Sequence, residues 1–349
     1  MSAGVPSARV VGLSRTCSVE VSVSRPRVYV TRRLPQPALD IIRPVADVTL
    51  WDREDVPPPR EVLLREVTQV DGLLTLLTDR IDGEVMDAAR QLKVVSNFAV
   101  GFDNIDIPVA TKHRIVVTNT PDVLTETVAD FAFCLILAAA RRLVEADQYT
   151  RAGRWKTWEP LLLAGQDVHR ATLGLIGLGR IGSAVARRAT GFEMRVMYYD
   201  PFRREDLEQN LHIDYRPFPD VLRQADFISV HVPLSEQTRH LIGREQFALM
   251  KPTAVFVNTS RGPVVDQQAL TEALASRRIF AAGIDVFERE PVSPDDPLLA
   301  VGNVIVVPHI ASASVPTRIR MATLAAENLV AVLQGKRPPN PVNPEVLKG

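Results

Sequence analysis

Twice along this chain, short runs of aliphatic and β-branched residues alternate with stretches of helical periodicity, and this repetition restricts the fold more than any other feature. The first series reads "RVYV", a helical "PALDIIRPV", "DVTLW", a helical "PREVLLREV", "GLLTLL", a helical "GEVMDAAR" and "LKVVSNFAV". The second starts at Thr172 and reads "TLGLIGL", "MRVMYYD", "HIDYR", "DFISVHV", "AVFVNTS", "AAGIDVF" and "NVIVVPH", with helical stretches between. Short β-branched runs separated by helices are the signature of βαβ units, so each series predicts a parallel sheet with helices on both faces. The expected class is α/β, built from two doubly wound domains. The second series, with five or six strands, is a complete nucleotide-binding domain in its own right.

A long helix is predicted between the two series, over residues 124–152, started by Asp122 or Thr125 and stopped by Gly153. Its middle, residues 131–140, is apolar on every face and therefore needs cover all round, from the two domains or from a second subunit. Ten apolar residues fall well short of the roughly 20 that span a bilayer. "RWKTWEPLLLAGQDVHRA" follows as an irregular loop, and after His309 a last helix is predicted over about residues 315–334, then a Pro/Asn-rich tail. Residues 1–25 are rich in Ser, Val and Arg with no continuous apolar core, so they read as a tail outside the fold and not as a secretory signal.

A chain of 349 residues suits about two domains. Its 41 basic and 41 acidic residues cancel, which leaves no global attraction to nucleic acid or to a membrane surface and points to small-molecule chemistry. The only cysteines are Cys17 and Cys134, so neither a disulfide framework nor a metal site is expected, and a reducing cytoplasm fits.

Within "TLGLIGLGRIGSAVARR", Gly177, Gly179 and Gly182 have the G-x-G-x-x-G spacing, with an aliphatic strand before and a helix after. Gly177 is needed for the tight turn, Gly179 so that backbone can approach a pyrophosphate, and Gly182 so that helix packs on strand. Amides at the helix start then face the anion. The spacing alone also suits a plain structural turn or a methyltransferase. The acidic residue that completes the dinucleotide fingerprint is Asp200, 18 positions after Gly182 at the end of "MYYD". Its carboxylate can accept from the adenosine ribose hydroxyls and repels a 2′-phosphate, which favours NAD(H) over NADP(H).

Three polar residues stand at the carboxyl ends of strands in the second series, where open parallel sheets bind ligands: Arg261 in "VNTSRGPVVD", Glu290 in "GIDVFEREP" and His309 in "VIVVPHIAS". Singly they read as a solvated loop charge, a helix-start carboxylate and a core histidine. Together they suit reduction of a 2-keto acid. A guanidinium holds the substrate carboxylate and polarises its carbonyl. A protonated imidazole delivers a proton to oxygen as hydride reaches carbon, and a neighbouring carboxylate favours the charged ring and fixes its orientation.

At this point the sequence resembles the D-isomer-specific 2-hydroxyacid dehydrogenases, and among them the glyoxylate/hydroxypyruvate reductases. "NFAVGFDNID", "GLIGLGRIG", "VNTSRGPVVD", "GIDVFEREP" and "PHIAS" occur in that family's order from Arg27 to about Asn343. The resemblance implies a flavodoxin-like substrate domain (residues 26–122 and 311–345), a Rossmann NAD domain (residues 123–310) and an active site in the cleft between them. It implies Arg261, Glu290 and His309 as the catalytic set, and Val100 and Gly101 amides on the substrate carboxylate with Asn97 and Phe98 beside them.

For the cofactor, NAD with NADP as an open option, it implies Leu178, Gly179, Arg180 and Ile181 at the pyrophosphate and Asp200 at the ribose. His231, Val232 and Pro233 would lie along the adenosine, Thr259, Ser260 and Arg261 near the nicotinamide ribose, and Asp285 at the carboxamide, with Thr127 approaching the nicotinamide. His231 is thus expected to be a wall of the cofactor site and not a second acid.

The loop "GRWKTWEPLLLAGQD" resembles the tryptophan-rich loop of the glyoxylate/hydroxypyruvate reductases, which implies a homodimer in which Trp158 reaches the other subunit's active site; alternatively Trp155 and Trp158 pin the long helix to the partner. Ala311 stands where the family commonly has glycine, and Arg203 and Arg204 follow Asp200 closely enough to leave NADP(H) use open. The expected activity is reduction of glyoxylate or hydroxypyruvate. A phosphoglycerate or D-lactate dehydrogenase, and a non-enzymatic NAD-sensing corepressor-like scaffold, remain as alternatives.

Overall fold

In the computed structural model, Met1 and residues 25–348 are described; most of the segment read as a tail lies outside them. The first sheet contains β1 (Arg27–Val30), β2 (Asp47–Leu50), β3 (Gly72–Thr75), β4 (Val94–Asn97) and β5 (Val116–Thr118), ordered β2-β1-β3-β4-β5 and parallel throughout. That is the flavodoxin-like order. Every residue of β3, β4 and β5 is buried, whereas β2 at the edge alternates between exposed and half-buried positions. The continuous apolar runs of the inner strands follow from cover on both faces.

The second sheet comprises β6 (Thr172–Ile176), β7 (Arg195–Tyr199), β8 (Asp214–Tyr215), β9 (Phe227–Val230), β10 (Val255–Asn258), β11 (Ala281–Ile284) and β12 (Val304–Val306). Its order is β12-β11-β10-β9-β6-β7-β8, again parallel. This is the Rossmann order with one further strand, so seven strands replace the expected five or six. Register sets the chemistry. Ile176 pairs with Val230, Val230 with Asn258, Asn258 with Ile284, and Ile284 with Val306. The residues that follow these strands therefore emerge along one edge, and the order reverses between β6 and β9, at the glycine turn.

The predicted long helix is two helices, Thr125–Ala140 and Leu143–Arg151, with Arg142 in the left-handed region at φ 50°. Neither Asp122 nor Thr125 caps its start through a side chain. The break has a tertiary cause: the loop that follows returns, and the Gln166 amide donates to the Ala140 carbonyl at 2.9 Å. Arg142 then turns its guanidinium onto Glu145 at 2.7 and 2.9 Å. The helix Thr125–Ala140 packs on β10, β11 and the helix Arg180–Ala189. Its other side, with Phe133, Cys134, Leu137 and Ala138, lines an open apolar groove.

The last helix, Val315–Leu333, starts where Ser314 Oγ accepts from the Thr317 amide at 3.4 Å. It returns to the first sheet, packing on the helix Gln36–Ile42 and on β3, β4 and β5. Met321, Ala322, Ala325 and Leu329 join Val28, Val30, Leu74 and Val94 in one buried cluster. No helix among the described residues is long and apolar enough to cross a membrane.

Candidate active site

The glycine turn sits directly after β6. Gly177 has φ +95°, a conformation L side chains rarely adopt, and a Cβ on Gly182 would stand 2.2 Å from Gly177 O. At Gly179 a Cβ would meet nothing within 4 Å, so the backbone there borders open space. The helix Arg180–Ala189 begins at this point, and its first-turn amides have no partner within the helix. This cradle fits a pyrophosphate.

Its details differ from the expectation in one respect. Leu178 is 1 % exposed and its amide donates to Asp200 Oδ2 at 2.9 Å, so that amide shapes the turn. The Arg180 guanidinium turns to Asp122 at 2.5 Å, and Ile181 is half-buried behind it. Asp200 Oδ1 accepts from the Phe202 amide at 3.0 Å, which fixes the carboxylate at the end of β7.

Beyond β9, His231 Nε2 lies 2.9 Å from Ser229 Oγ, and burial pushes the ring down to about 4. His231 is therefore neutral at ordinary pH, which does not suit it to act as a second acid. Val232 packs on Gly177 and Pro233 is exposed. After β10, the buried Thr259 hydroxyl has no partner among the described residues, an orphan that suits a bound polar ligand. The Thr127 hydroxyl, expected near the nicotinamide, instead faces Thr317 Oγ1 at 2.7 Å.

Arg261 is carried by a turn that Asn258 builds. The Asn258 Nδ2 donates to Arg261 O at 3.0 Å, while its Oδ1 accepts from the Ser260 amide (3.0 Å) and hydroxyl (2.8 Å). Gly262 must lack a side chain, because a Cβ would lie 1.7 Å from Phe287 O. The Arg261 guanidinium crosses to the other domain, where its Nε donates to Asp103 Oδ1 at 3.0 Å.

His309 has a left-handed backbone, φ 53°, and its Nδ1 lies 2.8 Å from Glu290 Oε2. Glu290 Oε1 accepts from the Phe287 amide at 3.0 Å. Burial acts to raise the Glu290 carboxyl, but the bond and charge of His309, the Phe287 amide and the Arg261 charge outweigh it and hold it below the usual range. With Nδ1–H donated to the carboxylate, Nε2 is the ring nitrogen left for proton exchange. That nitrogen has no protein partner among the described residues.

Asp285 and Asn97, both expected near the ligands, also tie the loops around them. Asp285 is 0 % exposed, and its oxygens accept from the amides of Ile310 (2.6 Å) and Ala311 (3.0 Å), so it braces the His309 turn. Asn97 is likewise 0 % exposed; its Nδ2 donates to Gly101 O at 2.9 Å and its Oδ1 accepts from Thr75 at 3.1 Å. The amides of Val100 and Gly101 in that same turn donate to no protein acceptor among the described residues. Trp158 is 77 % exposed on its loop.

Two residues have roles that no sequence argument supplied. Asn258 and Asp103 lie inside quoted motifs, and the available signals were an Asn at a strand end two residues before a Ser, and an acid two residues after the loop glycine. A dinucleotide cradle on the same sheet edge as an imidazole–carboxylate pair with a free ring nitrogen places the molecule among the nicotinamide-dependent oxidoreductases.

Comparison with known proteins narrows this. Residues 133–311 match the model described as "D-isomer specific 2-hydroxyacid dehydrogenase, NAD binding domain". A glyoxylate reductase of Korarchaeum cryptofilum is 55% identical over 325 residues, 93% of this chain and 98% of that one. Among solved structures, the TT0316 protein of Thermus thermophilus superposes with a TM-score of 0.85 at 46% identity, covering 90% of this chain and 99% of the other. An NADPH-dependent glyoxylate/hydroxypyruvate reductase of Sinorhizobium meliloti, solved with NADP and malonate, gives 0.80 at 35% identity, covering 91% and 97%. The chain belongs to the D-isomer specific 2-hydroxyacid dehydrogenase family.

Proposed function

We propose that this protein reduces glyoxylate, and with it hydroxypyruvate, to the corresponding 2-hydroxy acid. The observation that carries the proposal is the 2.8 Å contact between His309 Nδ1 and Glu290, which leaves Nε2 free at the edge that also bears Arg261. NADH held at the glycine turn would supply the hydride. Arg261 and the amides of Val100 and Gly101 hold the substrate carboxylate, and Arg261 draws electron density toward the carbonyl oxygen. As the hydride reaches the carbonyl carbon, the proton on His309 Nε2 passes to the oxygen, and the neutral ring regains a proton from water. Glu290 keeps the ring in the required orientation throughout. Closure of the cleft would exclude water from this step.

Glyoxylate is favoured because relatives bearing that name match nearly the whole chain, the first at 55% identity. NADH is favoured over NADPH because Asp200 stands at the end of β7 and both nearby arginines are engaged elsewhere. Arg203 donates to Glu208 at 2.9 and 2.8 Å, and Arg204 to Asp206 at 3.0 and 2.9 Å, which leaves no free guanidinium for a 2′-phosphate. The NADPH-dependent relative makes this a sharp test. The account expects a lower KM for NADH; a lower KM for NADPH contradicts it.

A homodimer is the assembly that suits the surface. Leu143 is exposed at the apolar groove on the helix Thr125–Ala140, and Val144, Trp155, Trp158 and Leu161 are exposed on the segment that follows, so a second copy seated there would cover apolar surface. Trp158 would then reach the cleft of that copy. A reducing cytoplasm suits the free Cys134. Substrate is tested by following NADH absorbance across a panel of 2-keto acids: glyoxylate and hydroxypyruvate should have the highest kcat/KM, and faster turnover of pyruvate or a phosphorylated keto acid would overturn the assignment.

A further inference from the structure

Arg261 is held from both sides of the cleft. Its Nη1 donates to Ser260 O at 2.8 Å within its own loop, and its Nε donates at 3.0 Å to Asp103 Oδ1, 158 residues away on the turn after β4. The remaining nitrogen, Nη2, lies over Gly101, so close that a Cβ there would stand 1.7 Å from it. Nη2 thus lies against the backbone of Gly101, whose amide, like that of Val100, donates to no acceptor among the described residues. Asp103 has a firm base: Asn97 ties Gly101 O, and Asn104 Nδ2 donates to Leu76 O at 3.1 Å and Asp79 O at 2.9 Å.

We propose that Asp103 is a positioning residue for the reaction: it draws the Arg261 guanidinium across the cleft by its Nε and leaves Nη2 and the Gly101 amide to grip one substrate carboxylate together. This rests on the reading of Arg261 as the group that binds that carboxylate. Since Asp103 belongs to the first sheet's domain and Arg261 to the second, the pose of the guanidinium depends on the two lobes being brought together. Stability is not what the pair supplies. The side chains are 37% and 20% exposed, and pairs so open to water contribute little to folding. They can still fix a direction, because an arginine held by Nε and Nη1 has lost its freedom to turn.

The test compares Asp103→Asn, Asp103→Glu, Arg261→Ala and the Asp103→Asn/Arg261→Ala double variant in the full chain. With glyoxylate and NADH, Asp103→Asn should lower kcat/KM about 10- to 100-fold with an unchanged melting temperature, the loss expected for a charge-assisted hydrogen bond. Asp103→Glu should recover most of it. Guanidinium added to Arg261→Ala should restore turnover, and should fail to do so in the double variant, which lacks the carboxylate that seats it. Normal kcat/KM in Asp103→Asn, or equal rescue in both Arg261→Ala backgrounds, overturns the proposal. Should the wild type turn over no 2-keto acid, the substrate reading fails by itself. Crystal structures of wild type and Asp103→Asn then decide: Nη2 should lie over Gly101 in the first and be turned away in the second, and an identical pose in both overturns the inference.

Discussion

His309 presents its ring to Glu290 from a left-handed backbone, a conformation that costs about 1–3 kcal/mol in a non-glycine residue. The two amide bonds to Asp285 offset that cost, since each bond to a charged acceptor contributes about 1.5–3 kcal/mol. Asp285→Ala should therefore lower the melting temperature and also depress kcat, which thermal denaturation and steady-state rates on one preparation would show; loss of stability with normal kcat would separate the turn from the chemistry. His309→Ala should reduce kcat by about 10²- to 10⁴-fold, the usual range for a positioned acid. The pH profiles follow from the same pair. A group that must donate a proton in one direction and accept it in the other gives a reductive rate that falls as pH rises and an oxidative rate that falls as pH drops. Glu290 is depressed in the folded protein, so its support is present above the ordinary carboxylate value and is lost only as pH falls through the depressed one. An acid limb in the reductive profile attributable to Glu290 should lie below about pH 4.3, and one centred above about 5 would contradict the assignment.

At the scale of elements, the glycine turn makes a prediction independent of the acid–base pair. Gly182→Ala would place a methyl 2.2 Å from Gly177 O, so the turn must open. NADH affinity, read by fluorescence titration, should fall more than about tenfold, the change that 1.4 kcal/mol produces, while the far-ultraviolet spectrum stays that of the wild type. The strands were legible in the sequence because inner strands of a parallel sheet are buried on both faces and must be apolar throughout. The two-residue strand Asp214–Tyr215 lies within the run "HIDYR", whereas Val116–Thr118 fell outside every run quoted from the first series, being too short to show a pattern. The break at Arg142 was not legible at all. It depends on an amide 24 positions later returning to Ala140, and no window of local sequence contains that contact. A polar residue beside a motif, such as Asn97 or Asp285, looks the same in sequence whether it faces a ligand or ties the loop behind it, and the burial of both side chains is set by tertiary packing that no local window contains.

The whole molecule is two parallel-sheet domains bridged by the bond from Arg261 to Asp103, with the helix Val315–Leu333 tying the end of the chain back to the first sheet. Ser96 Oγ donates to Ala325 O at 2.8 Å, and Leu329 is fully buried there, so Leu329→Ala should destabilise the protein by about 2–5 kcal/mol in chemical denaturation. Sedimentation should report a species of twice 38.6 kDa, and Trp158→Ala with Leu161→Asp should weaken it; a monomer at micromolar concentration would contradict the homodimer. The central claim is that one imidazole, braced by Glu290, delivers the proton while the glycine cradle holds the dinucleotide on its own. The most direct test measures NADH binding by fluorescence and NADH consumption with glyoxylate by absorbance, on wild type and His309→Ala side by side. Equal binding in both, with consumption confined to the wild type, is the predicted result. Comparable consumption by the variant, or none by either, would contradict it.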